Sequence, residues 1–222
     1  MCGRFTLFLE ADDLSEELDL HAIPPEWTPR YNVAPTQPIL TVTDPVARDA
    51  QWMRWGLVPS WAKDLSIGSR MINARAETLA EKPSFRSAFA RRRCLIPASG
   101  FYEWQKAASG KGPSQPYFIS LRDRKAFAFA GLWEIWHSPE GNEVKSCTII
   151  TTSPNERVAA IHDRMPVILS GDRMWNWLNW NDTRQLTGLM VPYPATEMQA
   201  VRVGNMVSNP NLDVPGLIAP LD

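Results

Sequence analysis

Nineteen prolines distributed over 222 residues set the first limit on the fold. Inside a helix a proline removes a backbone donor and clashes with the preceding turn, so a chain punctuated this often has little room for long helices. What lies between the prolines is short and β-rich: PILTV at 38–42, QWMRWGLVP at 51–59, RCLIPASGFYEW at 93–104, PYFISL at 116–121, AFAFAGLWEIW at 126–136 and SCTIITT at 146–152. Each run is bounded by Gly, Pro, Asn, Asp or Ser, as strands of a mostly antiparallel sheet system are.

Three segments have helical character instead. Residues 10–20, EADDLSEELDL, space their apolar positions for a surface helix with an acidic outer face. Residues 84–93, SFRSAFARRR, predict a helix with Ser84 as N-cap and Arg91, Arg92 and Arg93 at the end where cations complement the dipole. A further helix is expected over 171–180, GDRMWNWLNW, and the proline-rich 23–35, IPPEWTPRYNVAP, is expected to be an irregular fixed loop. Strands and helices mix without βαβ alternation, which predicts an α+β fold. Its core would be a mostly antiparallel, barrel-like curved sheet with a few short flanking helices, formed by one domain over 1–222.

Composition excludes several function classes. No apolar run approaches the roughly 18 residues of a membrane span, and no basic-then-apolar signal pattern opens the chain, so a soluble, cytoplasmic protein without a membrane partner is expected. Cys2, Cys94 and Cys147 are widely spaced and lack a Cys-x-x-Cys pair or a histidine at ligand spacing, so neither a disulfide framework nor a metal is expected. There is no Gly-rich phosphate loop, so no nucleotide cofactor is expected. A formal net charge of -1 requires any nucleic-acid binding to rest on a local patch. Ten tryptophans, many for this length, serve either as core or as stacking platforms for bases.

The chemistry begins at MCGRF. Once Met1 is removed, Cys2 carries an α-amine and a thiol on adjacent carbons. An α-amine titrates at about 7.7 to 8.0, so a useful fraction is neutral near pH 7 and attacks an aldehyde without further help. The thiol can then close on the same carbon to give a five-membered thiazolidine, a step no lysine imine has. The other reading of Cys2 is a small residue beside a start codon.

Further along, INARAET at 72–78 brings Asn73, Arg75 and Glu77 close together; Asn73 could hold an amine or a sugar oxygen and Arg75 offers a fork to phosphate, or the three could pin a loop. Glu103, between Tyr102 and Trp104, is placed either for desolvation and proton transfer or for exposure on a strand face, and Glu134 in GLWEIW is its rival. His162, followed by Asp163 and Arg164, is the histidine best placed for proton transfer of the three, though taken alone the segment favours a structural histidine.

Taken together, MCGRF, RYNVAP at 30–35, WGLVPSW at 55–61, INARAET, GFYEW at 100–104, IHDRMP at 161–166 and VGN at 203–205 resemble the SOS response-associated peptidase (SRAP) family, in order and over almost the whole chain. The resemblance implies binding of single-stranded DNA and self-crosslinking to abasic sites, whose ring-opened sugar presents an aldehyde. It implies that Cys2 supplies amine and thiol, that Asn73 positions the amine or sugar, that Glu103 is the acid/base, and that His162 transfers protons during sugar opening and crosslink reversal. AP lyase activity by β-elimination, and the peptidase activity in the family's name, are implied as well. Arg4, Asn32, Arg75, Thr151 and Arg164 would meet the DNA backbone, and Pro35 and Trp61 would wedge or stack where the strand bends. A monomer is expected. Ala62 follows Trp61 where some members carry a second aromatic. A terminal-cysteine amidohydrolase and a non-covalent single-strand binding module are the competing functions.

Overall fold

The computed structural model describes residues 2–107 and 112–221. Thirteen strands follow one another: β1 Phe5–Leu7, β2 Arg30–Val33, β3 Pro38–Val42, β4 Ala50–Trp55, β5 Asn73–Arg75, β6 Arg93–Ala98, β7 Gly100–Gln105, β8 Gln115–Leu121, β9 Phe127–His137, β10 Glu143–Thr152, β11 Met165–Pro166, β12 Ile168–Leu169 and β13 Met198–Arg202. Five short helices accompany them: α1 Ala11–Leu18, α2 Arg86–Arg91, α3 Glu156–Ala159, α4 Asp172–Asn179 and α5 Thr183–Leu189.

The strands β3, β4, β10, β9 and β6 close into a ring, each hydrogen-bonded to the next. Four seams of this barrel are antiparallel; the fifth, between β10 and β4, is parallel. Beyond that seam the three-residue β5 also runs parallel to β10, pairing Asn73 with Ile149 and Arg75 with Thr151. A second, antiparallel sheet has the order β13-β8-β7-β1-β2. This is the expected α+β architecture with a barrel-like core.

The chain passes from one sheet to the other at Ser99–Gly100, where the single run RCLIPASGFYEW is cut into β6 and β7. Gly100 is required at that corner: a Cβ there would stand 2.4 Å from the Phe118 ring and 2.8 Å from the Ile119 carbonyl oxygen. Aromatic rings lock the two sheets together, Phe5 of β1 meeting Trp55 at 5.3 Å and Phe129 at 5.7 Å edge to face. Of the ten tryptophans only Trp61 is exposed, so nine serve wholly or partly as packing.

Two expectations are corrected. Residues 30–33 form β2 rather than loop; it lies at the edge of its sheet, paired only to β1, where flanking prolines remove no ladder bond. The predicted helix over 84–93 is shorter: Phe85 rather than Ser84 occupies the N-cap position and Arg93 has left the helix to open β6.

Arg93 is buried among backbone carbonyls. Its guanidinium donates to Trp177, Phe89 and Trp180 oxygens at 2.7, 3.0 and 2.6 Å, tying the ends of α2 and α4 to the barrel. Those carbonyls are the unpaired last groups of two helices, so truncating the side chain strands several buried acceptors at once. Arg93→Ala is expected to lower stability by on the order of 3 kcal/mol or more, read as a fall in the urea midpoint with an unchanged m-value.

Candidate functional site

The site lies where the two sheets meet. Cys2 lies just before β1, separated from it by Gly3 and Arg4, and is fully buried, packed in the cluster that also holds Phe5, Trp55 and Ile149. Burial pushes its thiol well above the ordinary range, and the neighbouring Glu103 carboxylate pushes the same way. The sulfur is therefore a neutral thiol until a base removes its proton.

Asn73 reaches this residue because β5 is laid along β10: its Nδ2 donates to the Cys2 carbonyl oxygen at 2.8 Å. The amide oxygen of the same side chain is buried and takes no hydrogen bond from any described residue. An acceptor left open beside Cys2 suits an amine or a sugar hydroxyl.

Glu103 sits on β7, opposite Tyr117, and is buried. Burial raises its carboxyl to about 7, with the negative charge of Asp163 adding to the rise. A carboxyl titrating there is divided between acid and base forms at neutral pH. Its rival Glu134 is also buried, but lies 2.8 Å from the Arg92 guanidinium and is explained as a structural ion pair.

His162 follows the one-turn helix α3, whose N-cap Asn155 accepts from Val158 N at 3.0 Å and whose last turn bonds His162 N to Val158 O at 2.8 Å. This fixed turn brings the imidazole Nε2 to 3.9 Å from Glu103 Oε2. Burial lowers its pKa, partly opposed by Asp163, which favours the neutral ring. Cys2, Asn73, Glu103 and His162, spread over 160 residues of sequence, thus converge on one place.

The anticipated backbone-contacting residues divide into two groups. Arg75 and Thr151 are register partners on β5 and β10, and Arg164 Nη2 donates to Thr151 O at 2.7 Å, so these three share one edge. Arg75 is exposed, Thr151 is buried, and Arg164 is held bidentately by Glu77 at 2.7 and 2.9 Å. Arg4 and Asn32 lie elsewhere, beneath residues 205–213. Arg4 Nη1 donates to Asn32 Oδ1 at 2.8 Å and to Val207 O at 2.6 Å, while fully buried Asn32 donates to the Leu212 and Asn209 carbonyls at 2.6 and 3.0 Å. Both therefore latch the C-terminal segment. Half-buried Pro35 follows β2 and Trp61 stands 59% exposed after β4; among the described residues no hydrogen bond or ring contact links either to the Cys2 cluster.

Beside His162 opens a cleft of about 590 Å³, lined by Trp104, Gln105, Lys106, Gln115 and Asp163 among others. Gln105, Lys106 and Gln115 were not singled out from the sequence; the signal available was strand alternation, which puts Gln105 on the same face of β7 as Glu103. Among the described residues no group of three His, Cys, Asp or Glu is placed to hold a metal ion, and no helix is long and apolar enough to cross a membrane.

The chain is 49% identical over 223 residues to the abasic site processing protein YoqW of Bacillus subtilis, covering 98% of this chain and 99% of that protein. It is 30% identical over 271 residues to the abasic site processing protein HMCES of Rattus norvegicus, covering all of this chain and 76% of the other. A crystal structure of a Bacteroides thetaiotaomicron protein superposes with a TM-score of 0.87 at 26% identity, covering 99% of this chain and 100% of that one. Residues 1–210 match the family model described as SOS response associated peptidase (SRAP), and the chain belongs to that family.

Proposed function

We propose that the protein processes abasic sites in single-stranded DNA by capturing the ring-opened sugar on Cys2 as a thiazolidine. The observation that carries this reading is the convergence of an amide on the Cys2 carbonyl with a carboxyl and an imidazole around the same residue. The names of the relatives support the substrate.

After removal of Met1, the Cys2 amine adds to the sugar aldehyde and the resulting carbinolamine loses water to give an imine. The thiol then adds across the C=N bond: sulfur bonds to carbon, and its proton ends on nitrogen. No oxidant or reductant is needed, and one water leaves in total. Glu103, near half-ionised at neutral pH, takes the thiol proton in one step and returns a proton to the nitrogen. His162 shares proton transfer at the sugar oxygen during ring opening. Asn73 holds the Cys2 backbone so that amine and sulfur face one carbon. The imine also acidifies the adjacent sugar carbon, so β-elimination of the 3′ phosphate, an AP lyase reaction, competes with ring closure.

Purified protein incubated with an abasic single strand is expected to give a species that survives denaturing electrophoresis. Its intact mass should equal the protein without Met1 plus the oligonucleotide less one water. The same strand with an intact base should give none. Equal retention of both strands under native conditions, with no denaturation-resistant species, would favour a non-covalent binding module. Turnover of an amide substrate without a DNA adduct would favour the peptidase in the family's description.

A further inference from the structure

Glu77 lies outside the four converging residues, yet it is joined to one of them through Arg164. Its two oxygens grip the Arg164 guanidinium at 2.7 and 2.9 Å, and the same guanidinium donates to Thr151 O at 2.7 Å. The side chain of Arg164 is thereby fixed to β10, and with it the backbone of the loop that carries His162. That backbone has one consequence at the imidazole: Arg164 N–H donates to His162 Nδ1 at 3.1 Å.

An N–H can donate only to a ring nitrogen with a free lone pair, so in the neutral ring this contact favours the proton on Nε2. The competing arrangement is adjacent. Asp163 Oδ1 lies 2.9 Å from the same Nδ1 and would accept from it if the proton moved there. Among the described residues, charged groups that face this ring include Glu103 from β7, Lys106 just beyond β7, and Asp163 beside it on the loop. With the proton on Nε2, the imidazole presents a hydrogen-bond donor on the side of Glu103. With the proton on Nδ1, it presents a second acceptor there and spends its donor on Asp163.

We propose that Glu77 is a positioning residue which, through Arg164, selects the Nε2–H form of His162 and so leaves the imidazole with a donor facing Glu103, 3.9 Å away. The catalytic consequence rests on the abasic-site reading; the tautomer itself does not. Bidentate Arg–carboxylate geometry is the kind of ion pair that fixes orientation rather than merely adding charge attraction. Glu77 is half exposed but the Arg164 side chain is only 17% exposed, so removing Glu77 leaves a largely buried guanidinium held by Thr151 O, and the Glu77→Asp variant is the control that keeps it paired.

The test is a two-bond nitrogen–proton correlation spectrum of the DNA-free protein at pH 8, with His162 assigned by its loss in His162→Asn. The wild type should show the proton on Nε2. Glu77→Ala should move a substantial population to Nδ1, and Glu77→Asp, which keeps a carboxylate, should restore the wild-type pattern in part. Adduct formation with an abasic strand should fall at least about tenfold in Glu77→Ala, a portion of the 10²- to 10⁴-fold that positioned proton transfer supplies. An unchanged tautomer in well-folded Glu77→Ala overturns the proposal. A shifted tautomer in a protein whose wild type forms no adduct leaves the positioning role standing and removes the abasic-site reading instead.

Discussion

Cys2→Ala is expected to abolish the denaturation-resistant adduct while leaving a species that only borohydride traps. The alanine variant keeps a terminal amine once Met1 is removed, so it still forms an imine with the sugar aldehyde; with no sulfur to close on the carbon, the imine hydrolyses when the protein unfolds. Cys2→Ser separates the two functions further, because its hydroxyl is a poorer nucleophile and a five-membered ring closed through oxygen reopens more readily. The order expected on a denaturing gel is therefore wild type far above serine, with alanine blank, and all three visible after borohydride. Equal adduct from wild type and Cys2→Ala on the untreated gel would remove the thiazolidine from the mechanism.

Glu103→Gln should slow adduct formation by about 10²- to 10⁴-fold, the usual contribution of a positioned acid/base. It should also make the protein more stable at pH 8. The sign follows from the direction of the shift. Burial raises the folded carboxyl from 4.5 to about 7, so the folded state binds the proton more tightly than the unfolded state does. Below about pH 4.5 both states are protonated and the ionisation costs nothing. As pH rises from there to about 7 the wild type loses stability, reaching a cost on the order of 3 kcal/mol above the folded pKa. Glutamine fills the same space without that charge. The variant and wild type should thus melt together near pH 4.5, with the variant melting progressively higher toward pH 8. Coincident melting at both pH values would mean that Glu103 is not held desolvated. In wild-type protein the same titration predicts adduct formation falling on the acid side of about pH 7, as the base form disappears.

The strand runs were legible because this fold alternates short apolar segments with strong breakers, and the register of neighbours adds little to that local pattern. What the pattern misassigned were places where a partner distant in sequence decides. Arg93 has the sequence signature of a helix terminus beside Arg91 and Arg92, but five carbonyls from two helices compete for its guanidinium and draw it into β6. The choice between Glu103 and Glu134 was not readable from flanking aromatics, since both are buried; what marks Glu134 as structural is its ion pair with Arg92. Asn73 could be named as a polar group near chemistry, yet its bond to Cys2 depends on a parallel pairing of β5 with β10 that no periodicity encodes. Likewise Asn32 and Arg4 carry the composition of phosphate contacts, and only the fold shows both engaged with the C-terminal segment.

That engagement alters what ionic strength can do to this protein. A guanidinium facing open water keeps a loose atmosphere of anions, and a polyanion that displaces them gains the entropy of their release. Arg4 is held by a carbonyl and an amide, and Arg164 by a carboxylate, so a phosphate arriving at either must first break an internal bond and releases few ions. Of the three arginines only Arg75, exposed and without a side-chain hydrogen bond to a described residue, stands ready to make the full exchange. Under the proposed function, the protein would hold a strand with less dependence on salt than three arginines suggest, and leave the tenacity of the complex to the covalent bond.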